Sequence, residues 1–394
     1  MNVKINKENY SKTNTKSFII QGKEQNLQSY KIPINLLRYN EQNDRISSFI
    51  SQYEEQGQFP QDLETFNKIF EEFIYNSNVK EMNKLINNIE KYGQREIAVV
   101  LSNGIVIDGN RRFTALRMLY EKTSNAKYEY LDAVVLDADK YTEKDIKRLE
   151  LNLQHAVLGR VDYGPIDRLI GIYNNLIREG HNFTVAEYAR ETNIKPSELE
   201  KDIRVAKLMV DYHEYICQPL KFYIGKNQQI DGPLREIERA LRSKKLDQNY
   251  KHEIKNILFA YLASLGSGGT IKMRPFIETV LNHQNIEQLL DDTDEVMDKF
   301  EESFDKNKNS GEIDLPEDIR QEFRTFVENE VEEKRINDAR LEPIEFIKRA
   351  INNLNKINNN ALSKFPEDVK KDFELHIMEL NNKVDELMDE INAD

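Results

Sequence analysis

The sequence predicts an α+β protein in which a small mixed sheet comes first and a mostly α-helical region follows. Short β-branched runs at residues 97–101 and 105–107 predict strands within the first 155 residues. Farther along the chain, apolar residues recur at the spacing of one helix face, at Ile166, Leu169, Ile170 and Tyr173. A heptad pattern near the carboxyl end predicts a C-terminal helical bundle or coiled coil.

Charge and composition divide the chain into four predicted regions. Of the net charge of −13, residues 276–394 carry −17 and residues 219–275 carry +6. The regions are a sheet domain over 1–155 with a helical insertion at about 41–79, a helix-turn-helix region over 156–218, a basic helical region over 219–286, and an acidic helical region over 287–394. DNA binding can coexist with the acidic region, because salt screens charges beyond about 10 Å. Alternatively, the acidic region competes with DNA for the basic one.

The composition indicates a folded protein of the cytoplasm. Apolar residues make up 39% of the 394 residues, and 18 Tyr and 18 Phe can fill real cores. A single cysteine, Cys217, excludes an intramolecular disulfide, and no spacing of Cys and His resembles a zinc site. Because the sequence has neither a membrane-length apolar run nor the apolar core of a signal peptide, we expect a cytoplasmic protein without a membrane partner.

The most informative stretch is 105–117, where a β-branched run meets Gly109 and then Arg111 and Arg112 at the start of a predicted helix. A glycine allows the backbone to turn sharply, and the first amides of a helix are free to donate hydrogen bonds. The helix dipole favours an anion there, and guanidinium groups bind phosphate through two hydrogen bonds. The stretch therefore predicts a phosphate-binding corner. The alternative is that both arginines are ordinary solvated residues of a first helical turn.

Further motifs accompany the corner along the chain. An Ile32-Pro33 strand is followed by a helical pattern that ends at Gly93-Gln94, and the strand at 97–101 comes next. The corner reads Gly109-Asn110-Arg111-Arg112, and Asn152-Leu153-Gln154 follows it before the helix-turn-helix pattern. This order resembles the amino-terminal domain of the ParB and sulfiredoxin-like superfamily, over roughly residues 27–210.

The resemblance implies a nucleotide ligand, which is CTP in ParB proteins and ATP in sulfiredoxin and related serine kinases. The positions that would bind or border its phosphates are Gly109, Asn110, Arg111, Arg112, Asn152 and Gln154. The resemblance also implies a ParB-like DNA-binding protein, a homodimer in DNA partition or regulation, whose two protomers close together when nucleotide binds. Nucleotide binding would thus be its switch.

Departures from the family pattern limit this chemistry. Sulfiredoxin needs a catalytic cysteine inside the corner, where this chain has Asn110, so sulfiredoxin chemistry is excluded. ParB proteins that hydrolyse CTP hold Mg²⁺ with the acid and the amide of a second motif, Glu-Asn-Ile-Gln-Arg. In this chain the position of that acid is Leu151, and the position of the final arginine is His155. Glu150 could replace that acid only if the helix rotates or unwinds, because adjacent helical residues point about 100° apart. Asp108 would orient an arginine or approach a metal. Asp108 and Glu150 are therefore the candidate catalytic residues, and Mg²⁺ binding and a weak nucleoside triphosphatase activity stay open.

Residues after the second motif carry a helix-turn-helix pattern. Thr184 and Glu187 have the spacing of a capping box, and Ile194 would fill the core inside the turn between two short helices. The second helix would present its side chains to DNA, and the candidate contacts are Lys195, Ser197, Lys201 and Arg204. The basic stretch around Arg235 to Lys255 would add contacts to the DNA backbone, or it is simply the solvated face of amphipathic helices. A plain helical bundle without DNA is the alternative for the whole region.

The last predicted helix carries apolar residues at alternating steps of four and three, which make a seam of three heptads. The seam residues are Phe373, Ile377, Leu380, Val384, Leu387 and Ile391. Such a seam predicts a coiled coil that joins two protomers. The alternative is an intramolecular bundle with residues 317–358.

Other classes of function remain open. The same corner would serve a phosphotransfer enzyme or a nuclease of a mobile element or phage-defence system, whose turnover would need Asp108 and Arg112. A non-catalytic interaction protein with a degenerate corner would show no stabilisation by nucleotide. The aromatic-rich insertion at 41–79 is either a lid or a partner-binding helix pair.

Overall fold

The computed structural model describes residues 4–20, 23–155, 164–181, 183–358, 362 and 364–392. The predicted α+β class is confirmed: a six-stranded mixed sheet lies near the amino terminus and a helical region follows it. The chain divides into two compact units, Met1–Glu328 and Asn329–Asp394. The sheet and the helices up to Glu328 thus belong to one unit. None of the helices in the described ranges is both long and apolar enough to cross a membrane.

The sheet contains both parallel and antiparallel neighbours. Its strands are β1 Lys12–Ile20, β2 Lys23–Pro33, β3 Arg38–Tyr39, β4 Ala98–Leu101, β5 Ile105–Asp108 and β6 Tyr130–Leu136. Their spatial order is β1-β2-β6-β4-β5-β3. The pairs β1–β2, β2–β6 and β4–β5 are antiparallel, whereas β3–β5 and β4–β6 are parallel. Strand β5 therefore lies between β4 and β3, and its carboxyl end leads into the corner.

Five helices cover this sheet: α1 Ser47–Glu54, α2 Leu63–Ser77, α3 Val79–Tyr92, α4 Asn110–Thr123 and α5 Glu143–His155. Because side chains alternate along a strand, β4 contributes to a core on each face of the sheet. Ala98 and Val100 pack in the core that includes residues of α2, α3 and α4. Val99 and Leu101 pack on the other side, in the core that includes Leu149 of α5.

The insertion at 41–79 forms part of the core of the sheet domain. Phe66 and Phe70 of α2 are fully buried, with ring centroids 4.4 Å apart. Arg117 of α4 bonds Glu71 of α2 at 3.0 Å, and both side chains are buried. The sequence identified this insertion as aromatic-rich and left open whether it is a lid or a partner-binding helix pair. Burial of α2 against α4 favours neither of those two roles.

The helical region begins with α6 Pro165–Ile172, which continues as a π-helical turn over Tyr173–Ile177. The helices that follow are α7 Val185–Thr192, α8 Pro196–Tyr215, α9 Phe222–Gln228, α10 Asp231–Leu241, α11 Lys251–Leu265, α12 Thr270–Leu281, α13 Ile286–Lys306, α14 Glu317–Leu354 and α15 Glu367–Asn392. The predicted capping box is present, because Thr184 and Glu187 bond each other's backbone at the start of α7. Asn193 adopts a left-handed conformation, with φ of 55°, and turns the chain from α7 into α8. α7 and α8 are therefore two helices joined by a turn at the predicted place, and their role as a DNA-binding helix-turn-helix stays a prediction.

Unit Asn329–Asp394 contains the end of α14 and all of α15. No described residue of α15 is buried, and the only buried residues of α14 precede this unit. The seam positions of α15 are partly or fully exposed, and both the coiled coil and the intramolecular bundle with 317–358 stay predictions.

Candidate functional site

The corner is built at the junction of β5 and α4. Gly109 is the residue before the first turn of α4 and has a φ of +102°, which residues with a side chain rarely adopt. A Cβ atom at this position would lie 2.7 Å from the Cβ of Ala98. Glycine is therefore required both by the backbone conformation and by the close approach of β4. The amides at the start of α4 are thereby placed at the corner, as predicted.

A cavity of about 560 Å³ opens at the corner. Its wall combines the β5–α4 junction, α3, the Gly93 to Glu96 segment and the turn around Asp44. The lining residues with positive side chains are Arg45, Lys84, Arg95, Arg111 and Arg112. The acidic side chains in the wall are Glu81, Glu96 and Asp108.

Arg111 lies half-buried in this wall beside other cations. Burial lowers the pKa of Arg111, and the positive charges of Arg45 and Arg112 lower it further, against the opposing effect of Glu81. Among the described residues, no carboxylate forms an ion pair with Arg111. Glu81 instead bonds Lys84 at 2.6 Å. The guanidinium of Arg111 thus lies in the wall of a cavity with a net positive charge, and such a cavity attracts anions.

Arg112 is held differently from its neighbour. Its guanidinium bonds the Asp108 carboxylate at 2.9 Å, and the side chains are only 13% and 11% exposed. Asp108 was predicted either to orient an arginine or to approach a metal, and in the structure it bonds and orients Arg112. No group of three potential metal-ligating residues occurs among the residues that the structure describes.

Asn110 supplies a further polar group at the corner. The residue is 8% exposed, and its Oδ1 atom has no hydrogen-bond partner among the described residues. A buried polar atom without a partner costs about 1–3 kcal/mol. Rotation of the amide by 180° exchanges its oxygen and nitrogen, so the side chain can turn its NH₂ group as a donor toward a bound anion.

The second predicted motif is not brought to the corner. Glu150 is buried and bonds Lys147 at 3.2 Å, and the same Lys147 bonds Asp44 at 2.7 Å. Asn152 donates to Glu191 of α7 at 2.9 Å. Neither Glu150 nor Asn152 is among the described residues that line the corner cavity. The predicted placement of both residues beside the phosphates is therefore corrected: these α5 side chains bond the turn around Asp44 and α7. The side chain of Gln154 lies outside the described residues.

Sequence reasoning missed the turn around Asp44 as a part of the site. Asn43 and Arg45 line the cavity, whereas Asp44 between them is buried on the other side with Lys147. A short Asn-Asp-Arg run carries no periodicity and no glycine, so nothing local in the sequence marks it. The Gly93-Gln94 motif does line the cavity, and Gln94 bonds both backbone groups of Asp132 at 2.7 and 2.9 Å.

The candidate DNA contacts divide into two groups. Lys195, Ser197 and Lys201 are exposed on the first turns of α8. Arg204 is 36% exposed and is paired with Glu238 of α10 at 2.5 Å, so unlike the other three residues it already has a carboxylate partner. Its contact with DNA stays a prediction.

None of the protein-family models, curated proteins and solved structures compared with this chain matches it. Its candidate site is therefore defined by geometry and charge alone. The observation with most weight is the pair of unlike arginines at the corner: Arg112 has a carboxylate partner, and Arg111 faces a cavity with other cations.

Proposed function

We propose that the corner cavity binds the phosphate groups of a nucleotide, CTP or ATP, and that the protein uses this binding as a switch in a ParB-like DNA-binding function. One observation carries the proposal. Arg111 has no carboxylate partner among the described residues, and it lies with Arg45 and Arg112 at the amino-terminal end of α4. A polyphosphate would relieve the repulsion between these guanidinium groups and would accept hydrogen bonds from them and from the helix amides.

The turn around Asp44 is the element through which binding would act on the helical region. Arg45 lines the cavity, and the adjacent Asp44 bonds Lys147 of α5 at 2.7 Å and the amide of Asn175 at 3.4 Å. A ligand that draws Arg45 toward its phosphates would therefore also act on the contacts of Asp44. A ligand can act as a switch only if it binds one conformation of the protein more tightly than another, and altered contacts of Asp44 would supply such a difference.

The proposed function needs nucleotide binding and does not need nucleotide hydrolysis. Asp108 bonds Arg112, and Glu150 bonds Lys147, so both candidate catalytic carboxylates already have cationic partners. Mg²⁺ binding and weak nucleotide hydrolysis stay open. Product analysis in the binding samples tests the alternative of a phosphotransfer enzyme or nuclease, which would show turnover that is lost in Asp108→Ala.

Duplex DNA is the second proposed ligand. The exposed side chains on the first turns of α8 are those that a recognition helix directs at base edges in the major groove. We further propose a homodimer through the seam of α15, as is usual for helices with an apolar heptad stripe. Nucleotide and DNA occur together in the cytoplasm, where we infer that the protein acts.

The experiment is a titration of the full chain with CTP, ATP and inorganic triphosphate, each with and without Mg²⁺, followed by calorimetry and thermal unfolding. We expect at least one of these ligands to bind and to stabilise the protein. Arg111→Ala should weaken binding by about 10- to 100-fold, since it removes a charge-assisted contact of about 1.5–3 kcal/mol.

Arg178→Ala is the matched control, because Arg178 is an exposed arginine that does not line the cavity. It should bind like the wild type. The proposal fails if no nucleotide or triphosphate binds the wild type, or if the two alanine variants lose equal affinity.

A further inference from the structure

A second concentration of positive charge lies outside the corner, on α10. Arg235, Arg239 and Arg242 follow one another at steps of four and three, so they lie on one face of the helix. The opposite face is buried through Leu234, Ile237, Ala240 and Leu241. We name Arg235, Arg239 and Arg242, together with Arg274 of α12, the arginine ridge.

Two mostly buried glutamates hold three of the four arginines from beneath, whereas Arg235, which is 36% exposed, bonds Asp202 at 2.8 Å and Asp231 at 3.1 Å. Glu236 is 11% exposed and bonds Arg239 at 2.6 Å and Arg274 at 2.8 Å. Glu238 is 12% exposed and bonds Arg242 at 3.5 Å. By contrast, Arg239, Arg274 and Arg242 are 73%, 64% and 59% exposed. The surface is therefore formed by guanidinium groups, with the balancing carboxylates below them.

These ion pairs leave the arginines able to bind another anion. A guanidinium has five N–H donors, and Arg239 and Arg242 each use one of their outer nitrogens for a glutamate. The remaining donors face solvent. Because the glutamates already restrict the side chains, less conformational freedom is lost when a phosphate binds.

The ridge adjoins the candidate recognition helix. A cavity of about 640 Å³ is lined by Lys201 and Val205 of α8, by Arg235 and Arg239 of α10, and by Arg242 just after the end of α10. Glu236 and Glu238 also line it, so cations outnumber carboxylates in its wall by four to two. Lys201 thus belongs both to the exposed face of α8 and to the wall of this cavity. Residues 219–275, which include the ridge, carry a net charge of +6.

We propose that the arginine ridge binds the sugar-phosphate backbone of the same duplex DNA whose groove α8 enters. This inference rests on the proposed DNA-binding function and extends it to α10 and α12. It also gives Arg204 a different role: Arg204 bonds Glu238 and thereby helps to fix α10 beside α8, rather than reading a base.

The experiment measures the Kd of the full chain for duplex DNA of several sequences, between 50 and 200 mM salt. Arg239→Ala/Arg242→Ala is compared with Lys23→Ala/Lys122→Ala, which removes the same charge from exposed positions of the sheet domain. Each lost phosphate contact should reduce the slope of log K against log salt by about 0.9, so the ridge variant should lose a slope of about 2. Its affinity should fall at least tenfold for every sequence alike, while the control keeps the wild-type slope. Thermal unfolding of each variant checks that the fold is retained.

The outcomes separate the two proposals. If the wild type binds no duplex at any salt, the proposed DNA-binding function fails. If it binds and the ridge variant keeps the wild-type slope, the ridge makes no backbone contact and this inference alone is overturned. If the ridge variant binds DNA more tightly than the wild type, the ridge binds the acidic segment at 276–394, which competes with DNA. That result also overturns the inference.

Discussion

His213 is a titratable residue that the proposed sites do not use. Its side chain is fully buried in α8, where Nδ1 donates to the backbone oxygen of Met209 at 2.7 Å. The ring packs edge-on against Tyr212 and Phe222. Burial lowers the pKa of His213 from 6.5 to about 4. The folded protein therefore keeps this imidazole neutral at a pH where the unfolded chain already binds a proton.

This difference in pKa makes the free energy of unfolding depend on pH. Above the unfolded pKa of 6.5 both states are neutral at this residue, and between 6.5 and about 4 only the unfolded chain is protonated. The free energy of unfolding should therefore decrease as the pH falls, by about 1.4 kcal/mol per pH unit. From pH 7 to pH 5, urea unfolding should show the wild type losing about 2 kcal/mol more than His213→Gln, which does not titrate. Parallel losses in the two proteins would contradict this assignment.

Two adjacent residues show how far the sequence can predict the corner. The turn at Gly109 and the helix start after it follow from local rules, and both are present. The different surroundings of Arg111 and Arg112 do not follow from such rules. Arg112 lies four residues after Asp108 and bonds it, whereas Arg111 lies in the wall of a cavity with Arg45, which is distant in sequence. Arg111 and Arg112 are equivalent as letters of the motif, and only the folded structure shows that their partners differ.

At the scale of the elements, α15 is an amphipathic helix none of whose described residues is fully buried. Its seam repeats through three heptads, and Ile377 and Val384 are 42% and 45% exposed. Isolated helices of this kind are marginally stable in water, so pairing along the seam would stabilise them. We expect the full chain to sediment as a dimer at tens of micromolar, and Ile377→Asp/Val384→Asp to sediment as a monomer.

The control for this prediction is Met378→Asp. Met378 is 64% exposed and lies next to Ile377, but it is outside the heptad positions of the seam. This variant should remain a dimer. Monomers of the wild type at every concentration, or equal disruption by all the substitutions, would show that the seam does not join two protomers.

Helix α2 shows what periodicity cannot predict about an element. The sequence identified an aromatic helical segment, and α2 Leu63–Ser77 is indeed a helix. Its position was missed, because a periodic pattern shows that one face will be covered but not what covers it. Here Tyr39 is a part of the cover, and the ring centroids of Tyr39 and Phe70 lie 6.1 Å apart. Pairings between residues so distant in sequence need the folded chain.

At the scale of the first compact unit, charged side chains are buried between α5 and the turn around Asp44, and Asp44 also accepts a hydrogen bond of 3.4 Å from Asn175 of the helical region. Lys147 bonds Asp44 at 2.7 Å and Glu150 at 3.2 Å, and the three side chains are 8%, 7% and 2% exposed. Burial alone would lower the pKa of Lys147, but the negative charges of Asp44 and Glu150 outweigh it and raise the pKa. From the sequence, these charges are indistinguishable from those of a solvated helix. The four predicted regions therefore include no sign of this buried connection.

Removal of this one cation should destabilise the whole unit. Lys147→Met keeps much of the side-chain volume but removes the cation that bonds the buried Asp44 and Glu150, which costs about 3–5 kcal/mol in comparable buried pairs. Lys144→Met is the matched control on the same helix, because Lys144 is 41% exposed and bonds Glu187 at 3.1 Å. That exposed pair should contribute less than about 1 kcal/mol. Urea unfolding at pH 7 measures both, and in Asp44→Asn/Lys147→Met part of the loss should be recovered because one buried charge is gone. Similar losses in the two single variants would mean that the Lys147 cluster is as well solvated as the surface, and that it does not hold α5 to the turn beside the corner.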